Sequence, residues 1–429
     1  MRILGLSRRH RRRDTAEQPS EMLGVIERGP ILTLLGANAI SQVGNMMVQA
    51  VAIPWFVLET TGSPVKTGLT GAALAVGAVV PSVLGGPLVD RMGFKQSSVV
   101  ADVASAAAMA AIPLLHWAGA LEFWQLLLLV FLLASFNAQG DTARLALVPG
   151  LAGRAAMPIE RANAADRAIA RFGQLLGPLL GGLLVALIGA SNVLFIDAAT
   201  FMFSAALVGF GIPTTRRPEQ PAAGYRTELL EGVRFLRGDR PLLAMAFLPT
   251  VGNFLDVPLV TVVLPVYAML LFGSATSLGF VVGTFAAGAI LGTLLFGAFG
   301  THLPRRVTYL LSFAAAAVLI YGALAARPPL VLVAIAAGLG GLAAGPINPI
   351  FLTVMQERTP PQMLGRASGA FNGLVQAGIP FGAALAGFAI EAAGLTQTIL
   401  TMGSVYLIVI VAMALSSSLR RIDERPFVS

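Results

Sequence analysis

The sequence contains no cysteine, only two lysines and only three histidines among its 429 residues. Without cysteine the chain can form neither disulfides nor thiolate metal sites, and it has no cysteine nucleophile. The histidines, at positions 10, 116 and 302, are far apart in the sequence, so no metal centre is expected. Charged side chains make up 12% of the residues, well below the ~25% of soluble domains.

Enzyme signatures are also missing. The sequence has no phosphate-binding glycine loop followed by Lys-Ser/Thr, which argues against an ATP-driven pump. It has no Ser/His/Asp set and no paired carboxylates of the kind that catalysis uses. We therefore expect neither an enzyme nor a bound cofactor.

What the sequence has in abundance is apolar residues, at 56% of the chain with a mean hydropathy of +0.79. Crossing a bilayer takes about 20 consecutive apolar residues in a helix, and such stretches recur along the whole length. The prediction is an all-α membrane protein with twelve spans, at 33–57, 69–89, 97–117, 123–143, 165–188, 193–212, 242–271, 277–299, 307–326, 329–354, 367–391 and 397–417.

The net charge of +8 is distributed unevenly over the loops. With both termini and every even-numbered loop in the cytoplasm, all of the 29 basic residues except Lys66 and Arg327 are cytoplasmic, as the positive-inside rule requires. The basic run at 8–13 either attracts anionic lipid headgroups or is a disordered topology determinant. This placement argues against a nucleic-acid partner. Separately, the strong preference for arginine over lysine suggests a GC-rich bacterial genome. We therefore expect a protein of the bacterial inner membrane.

A polar segment at 213–241 divides the spans six and six, and its part from Glu228 to Leu236 is suited to a short amphipathic helix on the membrane surface. The predicted organisation is a basic tail at 1–30, a six-helix bundle at 31–212, a linker at 213–241, a second bundle at 242–418 and a tail at 419–429.

The two halves also resemble each other in sequence. Arg161, Gly177, Gly182 and Gly189 reappear 205 residues later as Arg366, Gly382, Gly387 and Gly394, while Gly86 and Pro149 reappear 211 residues later as Gly297 and Pro360. An internal repeat of six spans predicts two pseudo-symmetric bundles. Such bundles are typical of carriers that open a central site alternately to the two sides of the membrane.

Two glycine-containing motifs are informative. The loop 86–95 reads Gly-Pro-Leu-Val-Asp-Arg-Met-Gly-Phe-Lys, and its carboxylate is suited to the N-terminus of a helix from the other half. The predicted cytoplasmic gate comprises Gly86, Asp90, Arg91, Gly93, Asp141, Arg144 and Arg366; the alternative is a set of loop charges that only orients the chain.

In span 5, Gly173, Gly177, Pro178, Gly181 and Gly182 form a flat, bendable face for close helix packing. This face is either a transport motif or generic packing between helices.

Polar side chains on apolar helices predict a central cavity. Asn38, Gln42, Asn45 and Gln49 recur at helical spacing on one face of span 1; the alternative is polar contact between helices. The predicted cavity residues are Asn45, Gln49, Phe136, Asn253, Asn348, Asn372 and Gln376.

Acidic residues within spans are candidates for proton coupling. Burying a carboxyl group in the membrane costs free energy, so such a residue is a functional candidate by default. Asp256, near the middle of span 7, is the leading candidate; it alternatively bonds to backbone groups freed by Pro258 or is wetted near the outer mouth. Asp102 and Asp197 are closer to helix ends, so we expect them to reach towards the interface or to pair with loops. Glu391 is expected to be solvated at the outer end of span 11.

The loop 86–95 resembles the loop signature of the major facilitator superfamily, with Phe94 in place of a basic residue, and the span-5 glycines resemble the motif of its drug/proton antiporters. A third motif, Arg-x-x-Gln-Gly, falls on 136–140, where Phe136 takes the place of the arginine. The stretches 52–58, 161–164 and 264–267 are similar to those of the branch of enterobactin, macrolide and Tap-like multidrug exporters.

This resemblance implies proton-driven efflux of amphipathic compounds by a monomer surrounded by lipid. Relatives often carry an acid at the position of Asn45, so coupling here would shift to Asp256, Asp141 or Asp102. Two alternatives remain: an exporter of a specific metabolite, siderophore or lysophospholipid on the same fold, and a non-transporting membrane scaffold.

Overall fold

The computed structural model describes residues 28–84, 92–213, 225–416 and 419, and within these it is helical without any strand. Six long helices make up the first half: α1 (Gly29–Thr61), α2 (Pro64–Leu84), α3 (Phe94–Trp117), α4 (Phe123–Arg154), α5 (Ile159–Ile188) and α6 (Ala190–Gly211). After a linker helix (Tyr225–Gly238) come α7 (Arg240–Leu271), α8 (Ala275–Phe299), α9 (Arg305–Ala326), α10 (Leu330–Arg358), α11 (Pro361–Ala393) and α12 (Leu395–Leu415).

In the described part of the chain eleven of these helices are long and apolar enough to cross a membrane, and α2 contributes a shorter apolar stretch at Pro64–Val79. The all-helical membrane fold is therefore confirmed, while the exact number of twelve spans stays a prediction. Most helices begin and end within a few residues of the predicted limits. The exception is α4, predicted to end at 143, which continues to Arg154. Arg144, just beyond the predicted limit, is paired with Asp102 and Asp141 inside the protein.

Helices of each half pack mainly on one another. In the first half α3 packs on α4 and α6, and α1 packs on α5 and α6; in the second, α8 packs on α10, and α9 on α10 and α12. The halves meet through α2 with α11 and through α5 with α8. We call the end of the helices that carries the short loops 62–63 and 272–274 the hairpin end, and the opposite end, next to the linker helix, the linker end.

The first helix of each half contains a π-helical turn, at Val48–Ala52 in α1 and at Leu259–Val263 in α7. A proline follows each turn, at Pro54 and Pro265. Proline has no N–H for the carbonyl four residues earlier and its ring pushes that carbonyl aside, which favours the wider turn. The two turns are 211 residues apart, the offset already seen in the loop sequences.

The linker helix lies against the start of α11. Gly232 is so close to α11 that an added Cβ would overlap the carbonyl oxygen of Arg366. Glu231 accepts a hydrogen bond from the Arg366 guanidinium at 2.6 Å, and Asp239 pairs with Arg358 at 3.0 Å. The linker helix is therefore fixed to α11 by a close backbone contact and one ion pair, and Asp239, which follows the linker helix and caps α7, ties the start of α7 to Arg358 of α10.

Candidate functional site

A cavity of about 280 Å³ lies between the two halves. We call it the central cavity. Its wall combines small aliphatic side chains with amides, one hydroxyl and one carboxyl group. The polar residues in the wall are Asn45 and Gln49 of α1, Asn137 and Asp141 of α4, Thr261 of α7 and Gln376 of α11.

The polar face of α1 divides between two environments. At the cavity, the Gln49 amide donates to the Asn45 side chain at 2.6 Å. Nearer the linker end, the Asn38 amide donates to the Asp166 carboxylate of α5 at 2.6 Å. The cavity interpretation of the polar stripe therefore applies to its second half, and the helix-contact interpretation applies to its first.

Three of the seven predicted cavity residues, Asn45, Gln49 and Gln376, line the central cavity. Asn253 instead donates to the Val375 carbonyl at 3.3 Å and so joins α7 to α11. Phe136, Asn348 and Asn372 are not part of this wall. On α4 the neighbouring Asn137 lines the cavity instead of Phe136, because adjacent residues of a helix point about 100° apart.

A buried chain of charges runs from the cavity wall into the first half. The Arg144 side chain, 3% exposed, donates to Asp141 at 2.6 Å and to Asp102 of α3 at 2.7 Å. Ser204 of α6 donates to the other Asp102 oxygen at 2.7 Å. Asp141 is 40% exposed towards the cavity, whereas Asp102 is completely buried.

The expectation that Asp102 reaches the interface or pairs with a loop is therefore wrong: its ion pair with Arg144 makes burial tolerable. The same expectation is wrong for Asp197 of α6, which is completely buried against Gly44 of α1. Its Oδ1 accepts from Thr200 at 3.0 Å, and its Oδ2 has no hydrogen-bond partner within the described residues. Glu391 is exposed, and Ser63 donates to it at 3.5 Å.

Of the predicted gate, Gly86, Asp90 and Arg91 lie outside the described residues. Gly93 has a φ of 85°, a conformation that favours glycine, directly before α3. Asp141 and Arg144 are together, but Arg144 is directed into the core of the first half, and Arg366 binds Glu231 of the linker helix. Glu231 and Asp102 are partners that sequence reasoning missed, because both contacts join residues distant in the sequence.

The glycine motif of α5 provides two close contacts. Gly173, Gly177 and Gly181 face α1, and a Cβ on Gly177 would be 2.6 Å from the Met46 Cβ. Gly182 faces α8 of the other half, where a Cβ would be 2.6 Å from the Ala275 carbonyl oxygen and 3.0 Å from the Gly279 Cα. A contact of the same kind joins α2 to α11. A Cβ on Gly68 would be 2.5 Å from the Ala383 carbonyl oxygen.

Both contacts between the halves lie near the hairpin end. Gly68 and Gly279 follow shortly after the starts of α2 and α8, and Gly182 and Gly387 precede the ends of α5 and α11. They are related by the repeat, since Gly68 and Gly279 are 211 residues apart and Gly182 and Gly387 are 205 apart. The central cavity is thus flanked at the hairpin end by two backbone-to-backbone contacts.

Asp256, the leading coupling candidate, does not line the central cavity. Its two carboxylate oxygens accept hydrogen bonds from Tyr321 of α9 at 3.0 Å and from Tyr406 of α12 at 2.9 Å. Its hydrogen-bond partners are thus tyrosine side chains rather than the backbone groups freed by Pro258 that one sequence alternative proposed. No pattern in the sequence distinguishes these two tyrosines from the other three of the chain.

Comparisons with known proteins agree with this architecture. The multidrug efflux pump Tap of Mycolicibacterium fortuitum is 31% identical over 405 residues, covering 92% of this chain and 98% of Tap. The enterobactin exporter EntS of Escherichia coli is 30% identical over 347 residues, covering 79% and 80% of the two chains. The crystal structure of the nucleoside transporter NupG superimposes with a TM-score of 0.76 at 13% identity, over 90% of this chain and 98% of NupG.

A family model described as transmembrane secretion effector matches residues 29–429. Together with the exporters above, this match places the chain in the efflux branch that the sequence motifs indicated. The protein is a multi-pass bacterial membrane transporter that belongs to the transmembrane secretion effector family of the major facilitator superfamily.

Proposed function

We propose that the protein is a secondary active exporter that binds amphipathic small molecules in the central cavity and releases them by alternating access. The observation that carries the proposal is a cavity between two related halves, flanked at the hairpin end by the matched glycine contacts. Separating these contacts would open the cavity at that end. Twelve spans, a monomer, an inner-membrane location and cytoplasmic termini on the side of the linker end are part of the same proposal, as are the predicted domain limits.

The chemistry of the wall favours neutral or weakly cationic lipophiles. Amide and hydroxyl groups offer hydrogen bonds to many ligands, and Asp141 is the one ionisable side chain among the described residues of the wall. Tap, a multidrug efflux pump, and EntS, an enterobactin exporter, suggest two cargo types. An anionic siderophore would need a cation at the cavity, and Arg144, which pairs with Asp141 of the wall, is already bound to a second carboxylate, that of Asp102. Multidrug efflux is therefore favoured over a siderophore.

Proton antiport is proposed through Asp141 rather than Asp256. A coupling carboxyl must exchange protons with water in the cavity, and Asp141 is exposed there while its partner Arg144 is buried. Protonation of Asp141 would leave Arg144 bound to Asp102 alone, which changes the charge of the cavity wall. In the superfamily, the loop that corresponds to residues 86–95 helps to close the cytoplasmic side. We propose the same role here for Gly86, Asp90, Arg91 and Gly93, together with Arg366 of α11.

The test is transport by the purified protein in liposomes under an imposed pH gradient, with a neutral fluorescent lipophile as cargo. Wild type should transport it against its gradient, and an ionophore that dissipates the pH gradient should stop transport. Asp141→Asn should lose gradient-driven transport but keep energy-independent exchange of cargo, while the exposed-site control Glu391→Gln should behave as wild type. Transport by wild type that ignores the ionophore would refute proton coupling. Absence of both transport and exchange across a drug panel would favour a scaffold.

A further inference from the structure

A second cavity, of about 130 Å³, lies inside the second half of the molecule. We call it the bundle cavity. Its wall comes from α7, α8, α9, α10 and α12 and consists of aliphatic and aromatic side chains, apart from Asp256 and the hydroxyl of Tyr406. The bundle cavity is therefore an apolar space with one carboxylate.

The helix α7 separates the two cavities, which lie on different sides of it. Val257 and Thr261 face the central cavity, whereas Asp256 and Val260 face the bundle cavity. A ligand in the bundle cavity would thus be distinct from cargo in the central cavity. None of the residues that the structure describes lines both spaces.

The carboxylate of Asp256 has hydrogen-bond donors but no cation. The hydroxyls of Tyr321 and Tyr406 donate to its two oxygens, an arrangement that suits a group acting only as an acceptor. Among the described residues, the wall of the bundle cavity contains no lysine, arginine or histidine. A carboxylate in apolar surroundings is expensive without a counter-charge, and the wall, as far as the structure describes it, supplies none.

Aromatic rings surround the same point. The ring of Tyr406 packs edge to face against Tyr321 and Phe313, with centroid distances of 6.1 and 6.2 Å. Phe313 and Phe285 also belong to the wall. Aromatic rings beside an anionic group attract organic ammonium ions, because the ring faces are electronegative and the ligand has an apolar surface.

We propose that the bundle cavity binds a small organic ammonium ion, with Asp256 supplying the counter-charge and the rings of Phe313 and Tyr406 contacting its alkyl groups. Pockets for drug-sized ligands are about 300–1,000 Å³, so the bundle cavity suits a cation the size of tetramethylammonium rather than a drug. This inference does not depend on the proposed transport function, because the ligand is not the cargo of the central cavity.

The experiment measures equilibrium binding of radiolabelled tetramethylammonium to the purified full-length protein in detergent. Wild type should bind one ion per chain, and Asp256→Asn should weaken binding by at least roughly tenfold, the effect of ~1.4 kcal/mol. Ala337→Leu should abolish binding by filling the cavity while leaving Asp256 in place. Ala287→Leu, on the exposed face of α8 outside this wall, is the matched control and should bind as wild type.

A cooperative thermal unfolding transition establishes that a variant is folded. If Asp256→Asn does not fold, Ala337→Leu alone tests the proposal, because it fills the cavity and leaves Asp256 unchanged. Absence of saturable binding to wild type, or binding that persists in both cavity variants, would overturn the proposal. Competition by the neutral fluorescent lipophile with unchanged binding to Ala337→Leu would place the ion in the central cavity and equally overturn it. Failure of proton-driven transport would leave this result unaffected.

Discussion

Gly68 of α2 lies so close to Gly387 of α11 that a Cβ added to Gly68 would be 3.1 Å from the Gly387 Cα. Gly182 and Gly279 form the equivalent contact between α5 and α8. Because backbone atoms meet backbone atoms, neither helix can accommodate a side chain here by changing a rotamer. These contacts hold the halves together at the hairpin end, and cargo release in that direction requires them to separate.

Gly68→Val should shift the protein towards the form that is open at the hairpin end. The absence of native cysteine allows Gln49→Cys to report on access to the central cavity. In vesicles that present the hairpin end to the medium, a membrane-impermeant thiol reagent should label this cysteine roughly tenfold faster when Gly68→Val is present, if the bulk costs the closed form ~1.4 kcal/mol. Gly322→Val, at a glycine with open space around it, should leave the rate unchanged. Equal labelling in all three backgrounds would contradict the prediction.

Asp102→Asn should destabilise the protein strongly, because it leaves the buried Arg144 with one carboxylate. Removing one member of a buried ion pair typically costs about 3–5 kcal/mol. The measurement is reversible denaturation in mixed micelles. Glu357→Gln breaks a partly exposed pair with Arg305 and should cost less than about 1 kcal/mol. The double variant Asp102→Asn, Arg144→Gln should lose less free energy of unfolding than the sum of the losses in the two single variants. A loss equal to that sum would show that the two residues are not coupled.

Gly232→Ala should loosen the linker helix more than loss of its ion pair does. The added methyl group would overlap the Arg366 carbonyl oxygen, whereas Glu231→Gln removes a pair whose side chains are 41% and 37% exposed, worth about 0.2–1 kcal/mol. Hydrogen exchange of residues 225–238 measures the difference. Gly238→Ala, where nothing lies within reach of the new methyl, should exchange as wild type. If Gly238→Ala exchanged its amide hydrogens as fast as Gly232→Ala does, the alanine side chain itself, rather than its overlap with the Arg366 carbonyl, would account for the change.

Asn45→Asp should shift cargo preference towards cations. The new carboxylate would lie in the wall of the central cavity beside Gln49, where it attracts a positively charged ligand. The ratio of transport efficiency for a cationic over a neutral dye should rise by roughly tenfold, equal to ~1.4 kcal/mol. Asn192→Asp, at an exposed position near the hairpin end, should leave the ratio unchanged. Equal changes for both dyes would argue that Asn45 does not contact cargo.

The sequence predicted most of the fold because the signals for it are local. Long apolar runs define membrane helices, and the repeated glycines anticipated the matching contacts of Gly182 and Gly387. The burial of Asp102 was missed because it depends on the pair between Asp102 and Arg144, which are 42 residues apart in the sequence. The tyrosine partners of Asp256 depend on how α9 and α12 are rotated against α7, and spacing within one helix carries no information about that rotation.

The paired π-helical turns at Val48–Ala52 and Leu259–Val263 bear on the history of the molecule. A wide turn of this kind arises most simply when one amino acid is inserted into a regular helix. Finding it at equivalent positions 211 residues apart is the result expected if the turn, with the proline after it, was already present in a gene for half of the chain before that gene was duplicated. The ancestor would then have carried this irregularity already when two copies first assembled around a shared pore.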